Sequence, residues 1–230
     1  MQATELVIFD CDGVLADSEV ISARVLVREL AQYGVRIDPT HVYRHFVGQS
    51  FPKVAEKIRA RFQLDLPEDF ETAYRASLID AFARDLEVTP GLPGMLSQFG
   101  ARCCVATSSS PPRVARTLAL CDLEGAFGAD VFTASQVKHG KPAPDLFLFA
   151  ADRMGVEPRS CLVIEDSLAG VRAARAAGMA VWRYTGGSHF AGFDDRDIQT
   201  PDGVPVFDNW DQFYLMAPEL KVQEGGDGKR

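Results

Sequence analysis

The chain has 230 residues, 47% of them hydrophobic, with 24 Lys and Arg against 32 Asp and Glu for a net charge of −8. That length allows one substantial core with at most a small accessory unit, and the acidic balance argues against a nucleic-acid partner, whose phosphate backbone demands a basic surface. No apolar run approaches the roughly 20 residues that span a bilayer, and no basic flank with a long apolar segment opens the chain, so a cytoplasmic protein with no membrane association is expected.

Leu6-Val7-Ile8-Phe9 is a run of large apolar residues punctuated by Gly13, the pattern of a buried strand. Asp10 and Asp12 stand at its carboxyl end, and residues two apart on a strand project to one side, where both can act on one ligand. Taken alone, Asp-Cys-Asp-Gly is equally an ordinary turn. The pattern then becomes helical. Ser18 is placed to cap a helix carrying Val20, Ile21, Val25, Leu26 and Leu30 and ending near Gly34. Asp38-Pro39 opens a short helix that stops before Gly48, and Val54, Ala55, Ile58 and Phe62 mark a third. Pro67, followed by Glu68 and Asp69, opens a fourth, through Phe70, Tyr74, Leu78 and Phe82 to about Arg84.

From Thr89-Pro90-Gly91 onward strands and helices alternate, which predicts a parallel sheet covered on both faces. A helix at 92–99 leads to a strand at 103–107, and Ser108-Ser109-Ser110-Pro111-Pro112 makes a loop and helix start. Val131-Phe132 is a weaker strand, Pro144 opens a helix through Phe147 and Ala151, and Leu162-Val163-Ile164 is a strand ending at Glu165-Asp166. Ser167 caps an alanine-rich helix closing at Gly178, and Ala180-Val181-Trp182 is a further strand. The expected fold is therefore α/β, with a Rossmann-like parallel sheet core at 1–15 and 89–222, an inserted small all-helical unit at 16–88, and a disordered tail at 223–230. The five cysteines, Cys11, Cys103, Cys104, Cys121 and Cys161, lie within or beside apolar runs without C-x-x-C spacing and read as reduced small hydrophobes.

In an open α/β sheet ligands bind beyond the carboxyl ends of the strands. Ser108, Lys141, Glu165 and Asp166 each follow a strand or precede a helix, so the topology carries them toward the edge that holds Asp10 and Asp12. Each has a purely structural reading by itself: a helix-capping serine cluster, a surface lysine, acids at the positive end of a helix. Their joint occurrence, in this order, argues for a site.

The pieces FDCDGVLADS, ATSSS, KPAPDLF and IEDSLAG resemble, in order, the four motifs of the haloacid dehalogenase-like phosphohydrolases, over nearly the whole chain. Within that superfamily the sequence is most similar to the β-phosphoglucomutase-like branch and, among its phosphatases, to those acting on 6-phosphogluconate. The resemblance makes 16–88 a cap domain. It implies Asp10 as the nucleophile that takes the phosphoryl group as an aspartyl-phosphate, and Asp12 as general acid and then base. It also implies Ser108 as a phosphoryl hydrogen-bond donor helped by the backbone near Ser109, and Lys141 as the cation that neutralises charge. Mg2+ would be held by Asp10, the backbone carbonyl of Asp12, Glu165 and Asp166.

Phosphoryl transfer asks for these parts independently. A carboxylate approaching a phosphate dianion meets about 8 kcal/mol of repulsion, two like-charge interactions of about 4 kcal/mol each at 4 Å and an effective dielectric near 20. Oxygen ligands suited to magnesium, and a lysine point charge, offset it. A cation-bound Asp10 is expected to stay ionised, whereas Asp12, among other carboxylates, is expected to hold the proton for the leaving oxygen.

The helical insertion departs from the β-phosphoglucomutase pattern. Ser22 stands where those enzymes carry a histidine, and Val47-Gly48-Gln49-Ser50-Phe51 lacks the lysine and arginine that grip a second phosphate, although Lys53 is nearby. Hydrolysis is therefore expected, with a phosphosugar mutase as the alternative. The expected partner is a small phosphorylated metabolite, a sugar phosphate or sugar-acid phosphate, bound by a monomer. Gly48 is a candidate for substrate-facing backbone, and Arg44 and Arg75 could reach a substrate carboxylate. His41, His45, His139 and His189 read as surface or loop histidines. Hinges are expected near 14–18 and 86–90, where the chain leaves and re-enters the core.

Overall fold

The computed structural model describes residues 3–193 and 200–222, so the expected tail lies outside the described residues. Strand β1 (Leu6–Phe9) is followed by four helices, α1 (Glu19–Ala31), α2 (Pro39–His45), α3 (Phe51–Phe62) and α4 (Phe70–Asp85). Helix α5 (Leu92–Leu96) then leads to β2 (Arg102–Thr107), α6 (Pro111–Leu120), α7 (Glu124–Phe127) and β3 (Val131–Thr133). The chain continues through α8 (Asp145–Met154), β4 (Cys161–Glu165), α9 (Leu168–Ala176), β5 (Ala180–Tyr184), β6 (Val206–Phe207) and α10 (Phe213–Met216).

The strands form one parallel sheet in the order β3-β2-β1-β4-β5-β6, a doubly wound arrangement whose direction of growth reverses at β1. Phe9 lies opposite Val105 of β2 and Ile164 of β4, so Asp10 emerges in the crevice between two central strands. The alternation of β1 is divided between two cores. Val7 and Phe9 pack with Tyr184, Phe207, Trp210 and Phe213 on one face, and Leu6 and Ile8 with Phe147, Ala150, Val171 and Ala174 on the other. Both faces being covered explains why the strand reads as an unbroken apolar run.

Helices α1 to α4 enclose a separate apolar cluster that includes Ile21, Leu26, Leu30, Ile58, Leu78 and Phe82. Two of the helix starts behave as their sequences suggest: Asp38 accepts from His41 N at 2.7 Å and Ser167 from Gly170 N at 3.0 Å. Ser18 does not. Its residue is already helical in conformation and makes no side-chain cap bond; the hydroxyl is committed to Asp12 instead. The helix expected to reach 99 ends at Leu96, with Gly94 inside it. Helix α7 and strand β6, four and two residues long, are too short to produce a readable period. All five cysteines are free, and only Cys103 is as much as half-buried rather than buried.

The two connections between the sheet and the helices run side by side. Asp17 N donates to Glu87 O at 2.9 Å, and Thr89 N to Leu15 O at 3.0 Å. The buried Thr89 hydroxyl donates to Val14 O at 2.6 Å and accepts from Trp210 Nε1 at 2.9 Å, pinning both connections to the core. Thr89→Val keeps the shape and strands the carbonyl and the indole N–H. Urea denaturation is expected to show a loss of about 1–3 kcal/mol for each group left buried and unpaired; an unchanged midpoint would mean that neither bond contributes.

Candidate active site

Three strand ends and one loop meet at the carboxyl edge of the sheet. The Lys141 side chain is fully buried, with Nζ 2.8 Å from Asp10 Oδ1, 2.7 Å from Glu165 Oε1 and 3.1 Å from Ala106 O. Burial alone would lower the pKa of this ammonium, but the two carboxylates outweigh it and the pKa is raised, so Lys141 is a cation. The lysine expected from its motif to neutralise charge thus sits against the first aspartate and the fourth-strand glutamate.

Asp10, Glu165 and Asp166 are all buried and each offers an oxygen within 4.8 Å of the others. Burial first, and then the neighbouring carboxylates, push Asp10 and Asp166 well above the usual carboxylate range, with Lys141 only partly opposing this. Both oxygens of Asp166 are buried without a hydrogen-bond partner. Three carboxylates against one ammonium, with orphaned oxygens among them, fit a hard divalent cation that takes oxygen ligands. Gly13, at φ 79°, is needed here: a Cβ on it would lie 2.1 Å from Asp166 Oδ2.

Asp12 faces a different environment, and the expectation that it holds a proton is corrected. Ser18 Oγ and Arg113 Nη2 each lie 2.6 Å from Oδ1, and Ser109 Oγ lies 2.5 Å from Oδ2. Burial would raise this carboxyl, but the Arg113 guanidinium and the two hydroxyl donors overcome it and hold the pKa below the ordinary value. Asp12 is therefore held in its ionised form, because its neighbours are donors and a cation rather than other acids. Ser109, expected to assist through its backbone, engages Asp12 with its side chain.

Ser108 Oγ donates to Gly48 O at 3.1 Å, so this serine touches the loop between α2 and α3. Gly48 has φ 75°, and a Cβ there would lie 2.1 Å from Ser167 Oγ, so the residue allows the helical unit to approach the sheet edge closely. Both residues line a cavity of about 70 Å³ shared with Asp10, Asp12, Arg75 and Tyr74. Arg75 donates to Glu71 Oε1 from Nε at 2.9 Å and to Ser110 Oγ from Nη1. Arg44 lines a second, larger groove beside Asp166, with its guanidinium 6.0 Å from the Phe193 ring centroid.

Sequence reasoning missed four contributors. Thr107, buried at the end of β2, lines the same cavity and accepts from Ser109 N at 3.1 Å; a strand-ending threonine followed by three serines is a legible signal. Arg113 also donates to Ser22 Oγ at 3.1 Å, joining α1 to Asp12 through α6, and nothing in its local pattern announces this. Glu19 is buried beside Asp12. His189, expected on the surface or in a loop, is instead in a single 3-10 turn (Ser188–Phe190) and only 3% exposed, with Nε2 3.2 Å from Asp166 Oδ2.

Burial, and then Asp12 and Asp166, push Glu19 from 4.5 up to about 8. Between those values the folded chain keeps a proton that the unfolded chain has lost, so stability falls with rising pH across that window, by up to about 1.4 kcal/mol per pH unit. In Glu19→Gln that slope disappears. Thermal melts of metal-free protein should show the variant gaining on the wild type from pH 5 to pH 8, and parallel melts at all pH values would contradict this.

A family model for haloacid dehalogenase-like hydrolases matches residues 4–178. The 6-phosphogluconate phosphatase of Escherichia coli K12 is 30% identical over 228 residues, covering 99% of each chain. The fructose-1-phosphate phosphatase of the same organism is 36% identical over 178 residues, covering 75% of this chain and 92% of that one. Among solved structures, a hydrolase of this family from Deinococcus radiodurans R1 with bound phosphate and sodium has a TM-score of 0.73. It is 28% identical and covers 96% of this chain and 99% of its own.

Proposed function

The chain belongs to the haloacid dehalogenase-like hydrolase family, and from that premise we propose that it is a magnesium-dependent phosphatase of a small phosphorylated metabolite, a sugar phosphate or sugar-acid phosphate. The single observation that carries this reading is the buried cluster of Asp10, Lys141, Glu165 and Asp166, whose Asp10 lines a cavity together with Thr107, Ser108 and Ser109. It is supported by the phosphatase names of the two relatives.

In this reading Asp10, Glu165, Asp166 and the Asp12 carbonyl would hold Mg2+, which when bound would offset the negative charge of the phosphoryl group and favour the ionised form of Asp10. A carboxylate oxygen of Asp10 attacks phosphorus, the bond to the leaving oxygen breaks, and Asp12 gives that oxygen a proton. Water then attacks the aspartyl-phosphate with Asp12 taking its proton, and inorganic phosphate leaves. Lys141 and the hydroxyls of Thr107 and Ser108, with the backbone near Ser109, steady the phosphoryl oxygens. Asp12 begins ionised. A phosphate dianion about 4 Å away favours the protonated form of Asp12 by about 8 kcal/mol at an effective dielectric near 20, roughly six pH units before the cations of the site offset part of it, which lets it carry the proton once substrate is present.

A cavity of about 70 Å³ falls well short of the roughly 300 Å³ at which small-molecule pockets begin and is too small for a hexose phosphate. Residues 16–88 are accordingly read as a cap that swings away from 1–15 and 89–222 about 14–18 and 86–90. Lys53 does not supply a second phosphate grip, because its Nζ is engaged by Gly140 O and Lys141 O at 2.9 and 2.8 Å. That favours hydrolysis over the mutase alternative.

The test is release of inorganic phosphate from a panel of sugar phosphates and sugar-acid phosphates. Steady release that is lost with EDTA, restored by Mg2+, and reduced at least about 10³-fold in Asp10→Asn is expected. Isomerisation without phosphate release, or wild-type turnover in that variant, would overturn the reading.

A further inference from the structure

We propose that His189 is a positioning residue for the metal centre: its imidazole holds Asp166 Oδ2 so that Oδ1 is presented to the cation. The inference rests on the reading of Asp10, Glu165 and Asp166 as the cation-holding group and adds a residue that none of the four motifs contains.

His189 Nε2 lies 3.2 Å from Asp166 Oδ2, and the two residues are 3% and 1% exposed. Neither ring nitrogen and neither Asp166 oxygen makes an aligned hydrogen bond among the described residues. Unpaired buried polar atoms are costly, and four of them on two residues in contact mark a place completed by a ligand. Oδ1 is free to take the cation, while a small turn of the ring aligns Nε2–H with Oδ2. The imidazole is not one of the would-be ligands, because its nitrogens fall outside the group whose oxygens lie within 4.8 Å of one another. Its influence must pass through Asp166.

The loop is built to deliver the ring there. Two glycines make the room: a Cβ on Gly13 would lie 3.1 Å from His189 Cε1, and one on Gly187 would lie 2.9 Å from Cε1 and Nδ1. Ser188 is clasped by Asp17 through its backbone N–H, at 3.0 Å, and through its hydroxyl. Phe190 packs on one side of the imidazole at 4.1 Å between centroids, and Tyr43 of α2 approaches from the helical unit at 5.9 Å. A ring held at so many points fixes the carboxylate it touches, and partners that orient a metal-binding carboxylate govern affinity.

The experiment measures binding without substrate: Mn2+ by electron paramagnetic resonance and Mg2+ by calorimetry, for wild type, His189→Leu and His189→Gln. His189→Leu is expected to raise the Kd about 10–100-fold, and His189→Gln, which keeps an N–H donor, to recover most of that loss. In the wild type the 15N signal of Nε2 should be that of a protonated nitrogen and should shift on Mg2+ titration. Wild-type affinity in the leucine variant, or an equal loss in both variants, overturns the inference. Should the leucine variant fail to fold, an Nε2 signal that ignores Mg2+ does the same. A wild type that binds neither ion overturns the cation site and this inference together, whereas one that binds both but releases no phosphate overturns the proposed function alone.

Discussion

The site depends on one buried ammonium. Lys141 reaches from the loop before α8 into the sheet edge, where Asp10 ends β1, Glu165 ends β4 and Ala106 offers a carbonyl from β2. Taking a lysine out of water is costly unless excellent partners surround it, and two carboxylates and a carbonyl meet that condition. One charge thereby ties three strand ends together. It does not neutralise what it binds, because Asp166 joins the same group, and the remaining negative charge gives the edge its appetite for a cation.

The two aspartates of the first motif show how strongly environment outweighs sequence position. Asp10 and Asp12 are two residues apart and both buried, yet burial and acidic neighbours raise one while Arg113, Ser109 and Ser18 lower the other. In the proposed reaction that difference separates their roles: a bound cation would favour the anionic form of Asp10, and an arriving anion would favour the protonated form of Asp12. Arg113 adds a mechanical consequence. By donating to both Asp12 and Ser22 it makes the first helix of the insertion sense the same carboxylate, in the place where the family's mutase branch is expected to use a histidine. Gly48, close against Ser167 and bonded to Ser108 through its carbonyl, makes the second such contact.

Much of the fold was legible because its signals are local. The apolar run of β1, the alternation after Thr89, the capping residues Asp38 and Ser167 and the four helices α1 to α4 all follow from periodicity and turn chemistry within a few residues. The strand ends that carry Asp10, Glu165 and Asp166 were readable for the same reason, since a polar residue directly after a buried strand has one place to go in a parallel sheet, whereas Lys141, in the loop before α8, was readable through the motif it belongs to. Ser18 shows where such reading stops. A serine before a helix looks like a cap, but a hydroxyl within 2.6 Å of a buried carboxylate serves the stronger acceptor.

The amino-acid order by itself determined the layered α/β architecture, the inserted helices and the identity of the acidic and basic residues at the sheet edge, because each depends on neighbours in the chain. Tertiary structure alone decided which aspartate is pushed above and which held below the ordinary carboxylate range, where Arg113 and Glu19 sit, and that His189 lies buried against Asp166. These are matters of desolvation and of charges brought together from positions as far apart as 12 and 113 or 166 and 189, and an electrostatic interaction is governed by distance in space and the local dielectric, neither of which is written in sequence separation.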